Sequence, residues 1–201
     1  MAPSAGPERE PRLDMSAEDV ADLVGLLADV GVEVWLDGGW GVDAFLGEQT
    51  RPHDDLDLVA QLQDVPTLQE ALARRGFLLA GGGAPMSFEL TDDEGRQVDV
   101  HPVVFDERGD GVYRMRDGGD WLYPANGFAG VGHVGGRRVR CRTAEVQLLC
   151  HGGYEPDADD LHDMRALADR FGLELPEGQK RRASRHAQRS RRVPASPGAS
   201  P

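Results

Sequence analysis

Two aspartates that stand two residues apart, Asp55 and Asp57, are the residues of this sequence with the clearest chemistry. They belong to the segment Asp55-Leu56-Asp57-Leu58-Val59, in which charged and apolar residues alternate. In a β-strand this alternation places both carboxylates on one face and both leucines on the other. Two like charges on one face raise each other's pKa, and a hard divalent cation with oxygen ligands relieves their repulsion. The pattern therefore predicts a strand that presents a metal site.

A double glycine lies shortly before this strand, within the stretch WLDGGWGVDAFLG that begins at Trp35. The apolar residues before it predict a short strand, and residues 40–46 predict a brief helix that Gly47 ends. Gly38 and Gly39 are expected to form a tight turn between the strand and the helix. Because neither glycine has a Cβ, backbone amides at this turn can approach an anion closely.

A third carboxylate, Asp99, lies in the apolar segment QVDVHP. Residues 87–90 and 97–105 flank the sequence DDEGR, and this pattern predicts a hairpin that brings Asp99 beside the first two carboxylates. Its apolar neighbours in the sequence are expected to desolvate Asp99 and raise its pKa. Glu89, on the other arm of the hairpin, is a candidate for a further ligand, although a charged strand residue is more often solvated.

The double glycine and the aspartate pair are each weak signals alone, because the chain has 26 glycines and a DxD segment is commonly a solvated loop. An EF-hand interpretation of Asp55 and Asp57 fails, since neither the glycine nor the distal glutamate of that loop follows. Two-metal sites hold ions about 3.5 to 4 Å apart, one activating a hydroxyl and one gripping a polyphosphate. In such a site Asp55 and Asp57 would be shared ligands. Asp99 would bind the activating metal and take the proton of the hydroxyl.

Helical periodicity predicts the elements that must position these groups. Ser16 is expected to cap a helix whose apolar residues recur at helical spacing over residues 20–30, until Gly31 ends it. A second helix is predicted from residue 64 to Gly76, with a proline in its first turn.

The remainder of the chain predicts two further strands, at residues 77–80 and 139–141, and then two helices. The helices are expected at residues 143–150 and 157–170. In the second of them one set of residues is predicted to face the core and another to be solvated: Leu161, Met164, Ala168 and Phe171 inward, and Asp159, Asp160, His162 and Asp163 outward.

A strand, a double glycine, a short helix and a DxD strand in this order resemble the nucleotidyltransferase superfamily to which DNA polymerase β belongs. DGGWGVDAFLG followed by TRPHDDLDL, and then VDVHPV around Asp99, is similar to its branch of lincosamide nucleotidyltransferases and aminoglycoside 2″-adenylyltransferases. The resemblance covers about residues 32–172. It implies an α/β nucleotidyltransferase fold, with a mixed sheet, helices on one face of that sheet and a small C-terminal helical region.

The resemblance also implies roles for individual residues. In that family the glycine turn holds the triphosphate, the DxD carboxylates bind magnesium, and a carboxylate on a later strand completes the site. The metal ligands and catalytic residues would be Asp55, Asp57 and Asp99; the nucleotide-binding residues Gly38, Gly39, Trp40, Arg51 and His53; and the substrate-binding residues Glu89 and Tyr154. Trp40 and Asp43 are expected to support the glycine turn by packing and hydrogen bonding. Arg51 and His53 would either contact phosphate or brace the loop before the DxD strand.

The function implied by this resemblance is magnesium-dependent transfer of a nucleoside monophosphate to a hydroxyl of a small antibiotic, giving resistance. The donor would be ATP, with another nucleoside triphosphate as an alternative, and the acceptor a lincosamide or an aminoglycoside. A non-catalytic, antitoxin-like or regulatory binding module is a rival interpretation, but all three carboxylates are present and the Gly-Ser-x-Ala-Arg-Gly turn of those antitoxins is absent. Nucleotidylation of a protein or of another small molecule remains an alternative.

Composition restricts the partners of the protein. Residues 1–177 hold all 35 acidic residues against 15 basic ones, a net charge of −20, which argues against nucleic acid as a partner of the folded part. Only two cysteines are present, and no apolar run approaches the roughly 18 residues of a membrane span. A cytoplasmic monomer or homodimer is expected, with a disordered tail at residues 1–14, a nucleotidyltransferase domain at 15–142, a helical region at 143–177 and a basic disordered tail at 178–201.

Deletion of residues 178–201 is expected to leave steady-state transfer within about twofold of the full chain, because that segment has neither a core pattern nor the spacing of a site. Steady-state assays on the shortened and full chains at equal concentration test this. Loss of folding after truncation would contradict the prediction.

Overall fold

The computed structural model describes residues 14–151 and 155–175. Its contacts divide the chain into two compact units, Met1–Gln147 and Leu148–Pro201. The helices are α1 (Ala17–Asp29), α2 (Gly38–Leu46), α3 (Val65–Ala73), α4 (Ala144–His151) and α5 (Ala158–Phe171). The strands are β1 (Val34–Leu36), β2 (Asp55–Gln61), β3 (Leu78–Gly82), β4 (Phe88–Thr91), β5 (Gln97–Phe105), β6 (Gly111–Arg114), β7 (Asp120–Tyr123), β8 (Gly130–Val134) and β9 (Arg137–Cys141). The division of the chain at residue 143 stays a prediction.

One mixed sheet organises the first unit. Its strands follow the order β3-β4-β5-β2-β1-β9-β8, and β6 pairs with β5 and with β7. The pairs β2–β5 and β1–β9 are parallel, and the other pairs are antiparallel. The predicted hairpin β4–β5 is present, and β8 and β9 form a second hairpin.

The first helix begins where the capping pattern predicts. The Ser16 hydroxyl accepts a hydrogen bond from the Asp19 amide at 3.1 Å, and the Asp19 carboxylate accepts one from the Ser16 amide at 3.1 Å. Such a cap stabilises a helix by about 1 kcal/mol. Val20, Leu23 and Leu27 are buried on the inward side of α1.

The double glycine differs from its prediction. Gly38 and Gly39 are the first two residues of α2 rather than a separate turn, and Asp37 is the N-cap. Gly38 has a φ of +54°, a value that glycine adopts without steric cost, so the chain can pass from β1 into the helix within one residue. Gly47 ends the helix in the left-handed conformation, as predicted.

The core lies between the sheet and the first three helices. The side chains of Leu56 and Leu58 on β2 are fully buried and belong to one apolar cluster with residues of α1, α2 and α3. Val98 and Val100 on β5 belong to the same cluster. Because strand residues alternate between faces, the aspartates of β2 and β5 lie on the opposite face. The predicted mixed sheet with helices on one face is confirmed.

The opposite face of the sheet carries an aromatic cluster that the sequence patterns do not indicate. Trp35, Phe105 and Phe128 meet edge to face, with ring centroids 4.8 to 5.6 Å apart. The Trp35 indole donates a hydrogen bond to the Phe128 carbonyl at 2.9 Å. These contacts cover β1 and the end of β5, and the aspartates of β2 and β5 remain only partly buried.

Helix α5, in the second unit, corrects the prediction for Asp163. That residue is 1% exposed, together with buried Met164 and Leu167, whereas Phe171 is 42% exposed. Positions 160, 163, 164 and 167 share one helical stripe, so the buried face is rotated from the predicted one. Asp157 caps α5, and its carboxylate accepts hydrogen bonds from two amides of the first turn at 2.9 Å.

In residues 14–151 and 155–175, no helix combines the length and the apolar character that a membrane span requires. Cys141 and Cys150 are not joined by a disulfide bond.

Candidate active site

Carboxylates from neighbouring strands form one row across the sheet. Asp57 on β2 is the register partner of Asp99 on β5, and Asp99 is the register partner of Glu89 on β4. On the other side of β2, the Asp37 amide donates a hydrogen bond to the Asp57 carbonyl at 3.0 Å. Directly paired residues project from the same face of a sheet. The predicted hairpin therefore brings Asp99 beside the DxD strand.

Polar neighbours hold two carboxylates of this row. The Gln97 side-chain amide donates to one Asp99 oxygen at 2.6 Å. His101 lies two residues after Asp99, on the same face, and its Nε2 is 3.2 Å from an Asp57 oxygen. Asp55 lies two residues before Asp57 and is the register partner of Gln97. The site thus combines three strand carboxylates with an amide and an imidazole.

The electrostatics of the site show an excess of negative charge. Burial, and then the charges of Asp57, Asp99 and Asp54, raise the pKa of Asp55 to about 7, against a smaller opposing effect of Arg51. Burial, and then the charge of Asp57, raise the pKa of Asp99 to about 6.

Two more ionisable groups, Glu89 and His101, take part in the electrostatics of the site. Glu89 adds to the rise in the pKa of Asp99, whereas the Gln97 hydrogen bond and the charge of His101 oppose it. Burial lowers the pKa of His101, but its hydrogen bond to Asp57 and the surrounding carboxylates more than offset this, so the pKa is raised.

The raised pKa of Asp99 agrees with the prediction, but part of the predicted cause is wrong. Val98 and Val100 point to the helix-covered face and belong to the core. Alternation along β5 keeps both valines on the face opposite to Asp99. The desolvation of Asp99 therefore arises on its own side of the sheet.

Close approach explains the two glycines at the start of α2. A Cβ on Gly38 would collide with the Asp57 carboxylate, and one on Gly39 would collide with the His53 ring and lie 2.7 Å from an Arg51 guanidinium nitrogen. Any other residue would require these side chains to move. The missing Cβ atoms thus bring the first turn of α2 against the DxD strand.

Buried side-chain contacts hold the loop between α2 and β2 in place. His53 Nε2 lies 2.5 Å from one Asp43 oxygen, and the other Asp43 oxygen accepts a hydrogen bond from the Thr50 hydroxyl at 2.7 Å. The Trp40 ring lies 4.7 Å from the His53 ring. The side chains of Trp40, Asp43 and His53 are each 2% exposed. These contacts favour the bracing interpretation of His53 and the supporting role of Trp40 and Asp43; any contact of these residues with a nucleotide stays a prediction.

The remaining predicted site residues are distributed as follows. Arg51 is half-buried, with its guanidinium 3.1 Å from the Pro52 carbonyl. Glu89 is half-buried beside Asp99. Asp54 is exposed and lies outside the row. Tyr154 lies outside the described residues.

The donor chemistry of the site fits a hard divalent cation, although the side chains are not arranged around one. Among the described residues, no three His, Cys, Asp or Glu side chains are gathered so that they could hold a metal ion as they stand. An Asp57 oxygen is turned to His101 and an Asp99 oxygen to Gln97. Carboxylate oxygens are the ligands that magnesium prefers. Rotation of these side chains is needed for the three carboxylates to converge.

Three residues of the site were missed from the sequence. Asp37 stands directly before the double glycine, and His101 is two residues after Asp99, so strand alternation could have indicated its face. Arg142, which is fully buried with its guanidinium 3.3 Å from Asp37, has no local signal. Its place depends on strands that are distant in sequence.

The raised pKa of Asp55 predicts how the stability of the metal-free protein depends on pH. A carboxyl group whose pKa is higher in the folded than in the unfolded chain binds more protons when folded, so its contribution to the free energy of unfolding falls as pH rises between about 4 and 7. Asp55→Asn removes this contribution. Its melting temperature in EDTA, relative to wild type, is expected to be higher at pH 7.5 than at pH 4.5 by at least about 2 °C.

Asp93→Asn is the control for this measurement, because Asp93 is exposed and outside the row. Its melting temperature is expected to follow wild type at both pH values. A difference between Asp55→Asn and wild type that is independent of pH would contradict the clustered arrangement.

Comparison with known proteins gives consistent matches over most of the chain. The sequence model described as aminoglycoside-2″-adenylyltransferase matches residues 19–167, which include all three strand aspartates. A lincosamide resistance protein from Staphylococcus haemolyticus is 28% identical over 154 residues, covering 77% of this chain and 95% of that protein. A 2″-aminoglycoside nucleotidyltransferase from Escherichia coli is 31% identical over 123 residues, covering 56% of this chain and 59% of that protein.

Solved structures agree with these matches. The lincosamide antibiotic adenylyltransferase LnuA, with lincomycin bound, aligns with a TM-score of 0.69 and 28% identity, covering 77% of this chain and 98% of that one. ANT(2″)-Ia in complex with adenylyl-2″-tobramycin aligns with a TM-score of 0.61 and 19% identity, covering 87% of this chain and 97% of that one. The second likeness concerns the fold alone. Together they confirm the predicted nucleotidyltransferase fold.

Proposed function

The chain belongs to the aminoglycoside-2″-adenylyltransferase family and is a nucleotidyltransferase, and from this premise we propose that it transfers AMP from ATP to a hydroxyl of a small antibiotic. The acceptor is a lincosamide or an aminoglycoside, the two classes named for its relatives. The reaction inactivates the antibiotic and gives resistance.

The observation that carries this proposal is the contact between the DxD strand and the start of α2. The Asp57 carboxylate occupies the space in which a Cβ of Gly38 would stand, and Asp99 is the register partner of Asp57. A carboxylate cluster and a helix N-terminus are thus adjacent. Such a pair suits a polyanionic donor that is bound together with cations.

Each carboxylate has a part in the proposed reaction. Asp55, Asp57 and Asp99 would hold magnesium, which supplies positive charge to the triphosphate and to the departing pyrophosphate. The first-turn amides of α2 orient the phosphates, and Arg51, which is close to Asp55, adds a further positive charge. His101 is within hydrogen-bond distance of one Asp57 oxygen and would release that oxygen when Asp57 turns to magnesium.

Asp99 is the proposed general base. Its pKa is raised to about 6 in the metal-free site, so Asp99 is mostly ionised at neutral pH and can accept a proton from a hydroxyl as that hydroxyl attacks. The acceptor oxygen then forms a bond to the α-phosphorus, and the bond from that phosphorus to the pyrophosphate oxygen breaks. Glu89, beside Asp99, and Tyr154 are the proposed contacts of the acceptor.

A screen of acceptors tests the proposal. The full chain is incubated with magnesium, each nucleoside triphosphate and a panel of lincosamides and aminoglycosides, and the products are weighed by mass spectrometry. The expected product has gained the mass of AMP less water, with ATP as the preferred donor. Tight binding of ATP without transfer to any member of the panel would contradict antibiotic modification and favour a protein or another small molecule as acceptor.

A further inference from the structure

Arg142 is a fully buried cation at the edge of the candidate site. It follows the last residue of β9, its side chain is 0% exposed, and it is the largest of the fully buried side chains among the described residues. Removing a guanidinium from water costs several kcal/mol unless the charge is paired and hydrogen-bonded. A chain that keeps such a residue needs a partner for it in the fold.

Asp37 is one partner of this charge. Two nitrogens of the guanidinium, Nε and Nη2, lie 3.4 and 3.3 Å from one Asp37 oxygen. The guanidinium also lies over the Tyr123 ring, 3.6 Å from its centroid, and 5.0 Å from that of Phe128. The Arg142 amide donates to the Leu36 carbonyl at 3.1 Å. Ring packing and a backbone bond thus position the charge beside Asp37.

Asp37 stands at the start of α2, where an aspartate side chain could cap the helix. It is the N-cap residue of α2, but its side chain forms no capping hydrogen bond. An N-cap aspartate normally accepts a hydrogen bond from an amide of the first helical turn. Here parallel pairing of β1 with β9, at Leu36 and Cys141, sets Asp37 beside Arg142 instead. The carboxylate is directed to the guanidinium and leaves the first-turn amides to other ligands.

The charge of Asp37 matters because the row is already acidic. The neighbouring strands carry the carboxylates of Glu89, Asp99, Asp57 and Asp55. The charge of Asp37 also acts on the site, because it helps to raise the pKa of His101. Without the guanidinium, Asp37 would lose the positive charge that offsets its own, next to the helix N-terminus. It could also cap α2, and both effects oppose the binding of a polyanion there.

We propose that Arg142 is a positioning residue for the nucleotide: it holds the Asp37 carboxylate away from the first turn of α2 and offsets its charge, so that the amides of that turn remain open to the triphosphate. This inference rests on the proposed function, because it takes the triphosphate to bind at that turn. Arg142 acts through Asp37 and does not itself contact the reacting atoms.

A pair of variants in the full chain tests the proposal, with ATP and magnesium as the probe. Arg142→Met keeps the length of the side chain and removes its charge. Its dissociation constant for ATP by calorimetry is expected to rise by about 10-fold or more, with a smaller change in kcat than in the KM for ATP. The double variant Arg142→Met with Asp37→Asn is expected to bind ATP within about threefold of wild type, since the negative charge that Arg142 offsets is also removed.

Arg140→Met is the matched control, because Arg140 is exposed on the same strand and pairs with Glu33. It is expected to bind ATP as wild type does. Unchanged ATP affinity of Arg142→Met, or weakened affinity that Asp37→Asn does not restore, would overturn the positioning role. If Arg142→Met does not fold, the double variant decides: affinity within about threefold of wild type supports the role, and a loss of about 10-fold or more overturns it.

The same titration separates this inference from the proposed function. Absence of ATP binding by the wild-type chain would contradict the proposed function itself. If the wild-type chain binds ATP but the variants give the results that overturn the positioning role, only the role of Arg142 is contradicted.

Discussion

Asp57→Asn is expected to reduce the rate of nucleotidyl transfer by about 10⁴-fold, which corresponds to roughly 5.5 kcal/mol of transition-state stabilisation. Asp57 is at the centre of the carboxylate row, with Asp99 on one side and the backbone of Asp37 on the other. Asparagine keeps the size of the side chain but removes one anionic ligand, and the adjacent Gly38 leaves room for it. The defect should therefore be chemical and not structural.

Steady-state transfer and circular dichroism, measured on the same preparations, check this result. Asp54→Asn is the matched control, since Asp54 is an adjacent aspartate that is exposed and outside the row. We expect the control to retain transfer within about threefold of wild type. A folded Asp57→Asn with near wild-type turnover would show that the assignment of Asp57 as a metal ligand is wrong.

Asp99→Asn is expected to lower kcat by about 10² to 10⁴-fold while the dissociation constant for ATP changes little. The amide keeps a ligand oxygen but cannot take the proton of the acceptor. Higher magnesium, or manganese in its place, is therefore not expected to restore kcat. In wild type, kcat should rise with pH as the Asp99 carboxyl loses its proton, and bound magnesium should shift this rise below the pKa of about 6 of the metal-free site. This rise of kcat with pH should be absent in Asp99→Asn.

The pH profiles of wild type and Asp99→Asn, each with magnesium and with manganese, are the measurement. Glu89→Gln is the companion variant, because Glu89 is the nearest alternative base and the register partner of Asp99. Full recovery of Asp99→Asn by manganese, with an unchanged pH profile, would reduce Asp99 to a metal ligand. Loss of the rise of kcat with pH in Glu89→Gln would then assign the role of general base to Glu89.

Local patterns predicted most of the scaffold. The cap at Ser16 and the helix end at Gly47 depend on interactions within a few residues, and both are present as predicted. The alternation of β2 is likewise local, and it separates Asp55 and Asp57 from the buried leucines. The hairpin that brings Asp99 into the row connects strands that are adjacent in sequence, so its pairing could also be inferred.

The predictions were less successful where burial is decided by distant contacts. Asp163 was expected to be solvated, but it lies on the buried face of α5. The periodicity of the sequence is compatible with either of two adjacent helix faces being buried, so it could not decide between them. The double glycine was expected to form a turn outside the helix. Its conformation depends on how closely the chain approaches Asp57 and His53, which no pattern within the segment shows.

The sequence by itself determined the residue types of the site, the faces on which Asp55, Asp57 and Asp99 lie, and the family, because side-chain alternation and motif spacing are local properties of the chain. Only the tertiary structure decided that Asp37 and Arg142 belong beside them. Those two residues are 105 positions apart and meet because β1 pairs in parallel with β9. Strand order is set by the packing of the whole sheet, so the partner of a buried charge can be known only once distant strands have been brought together.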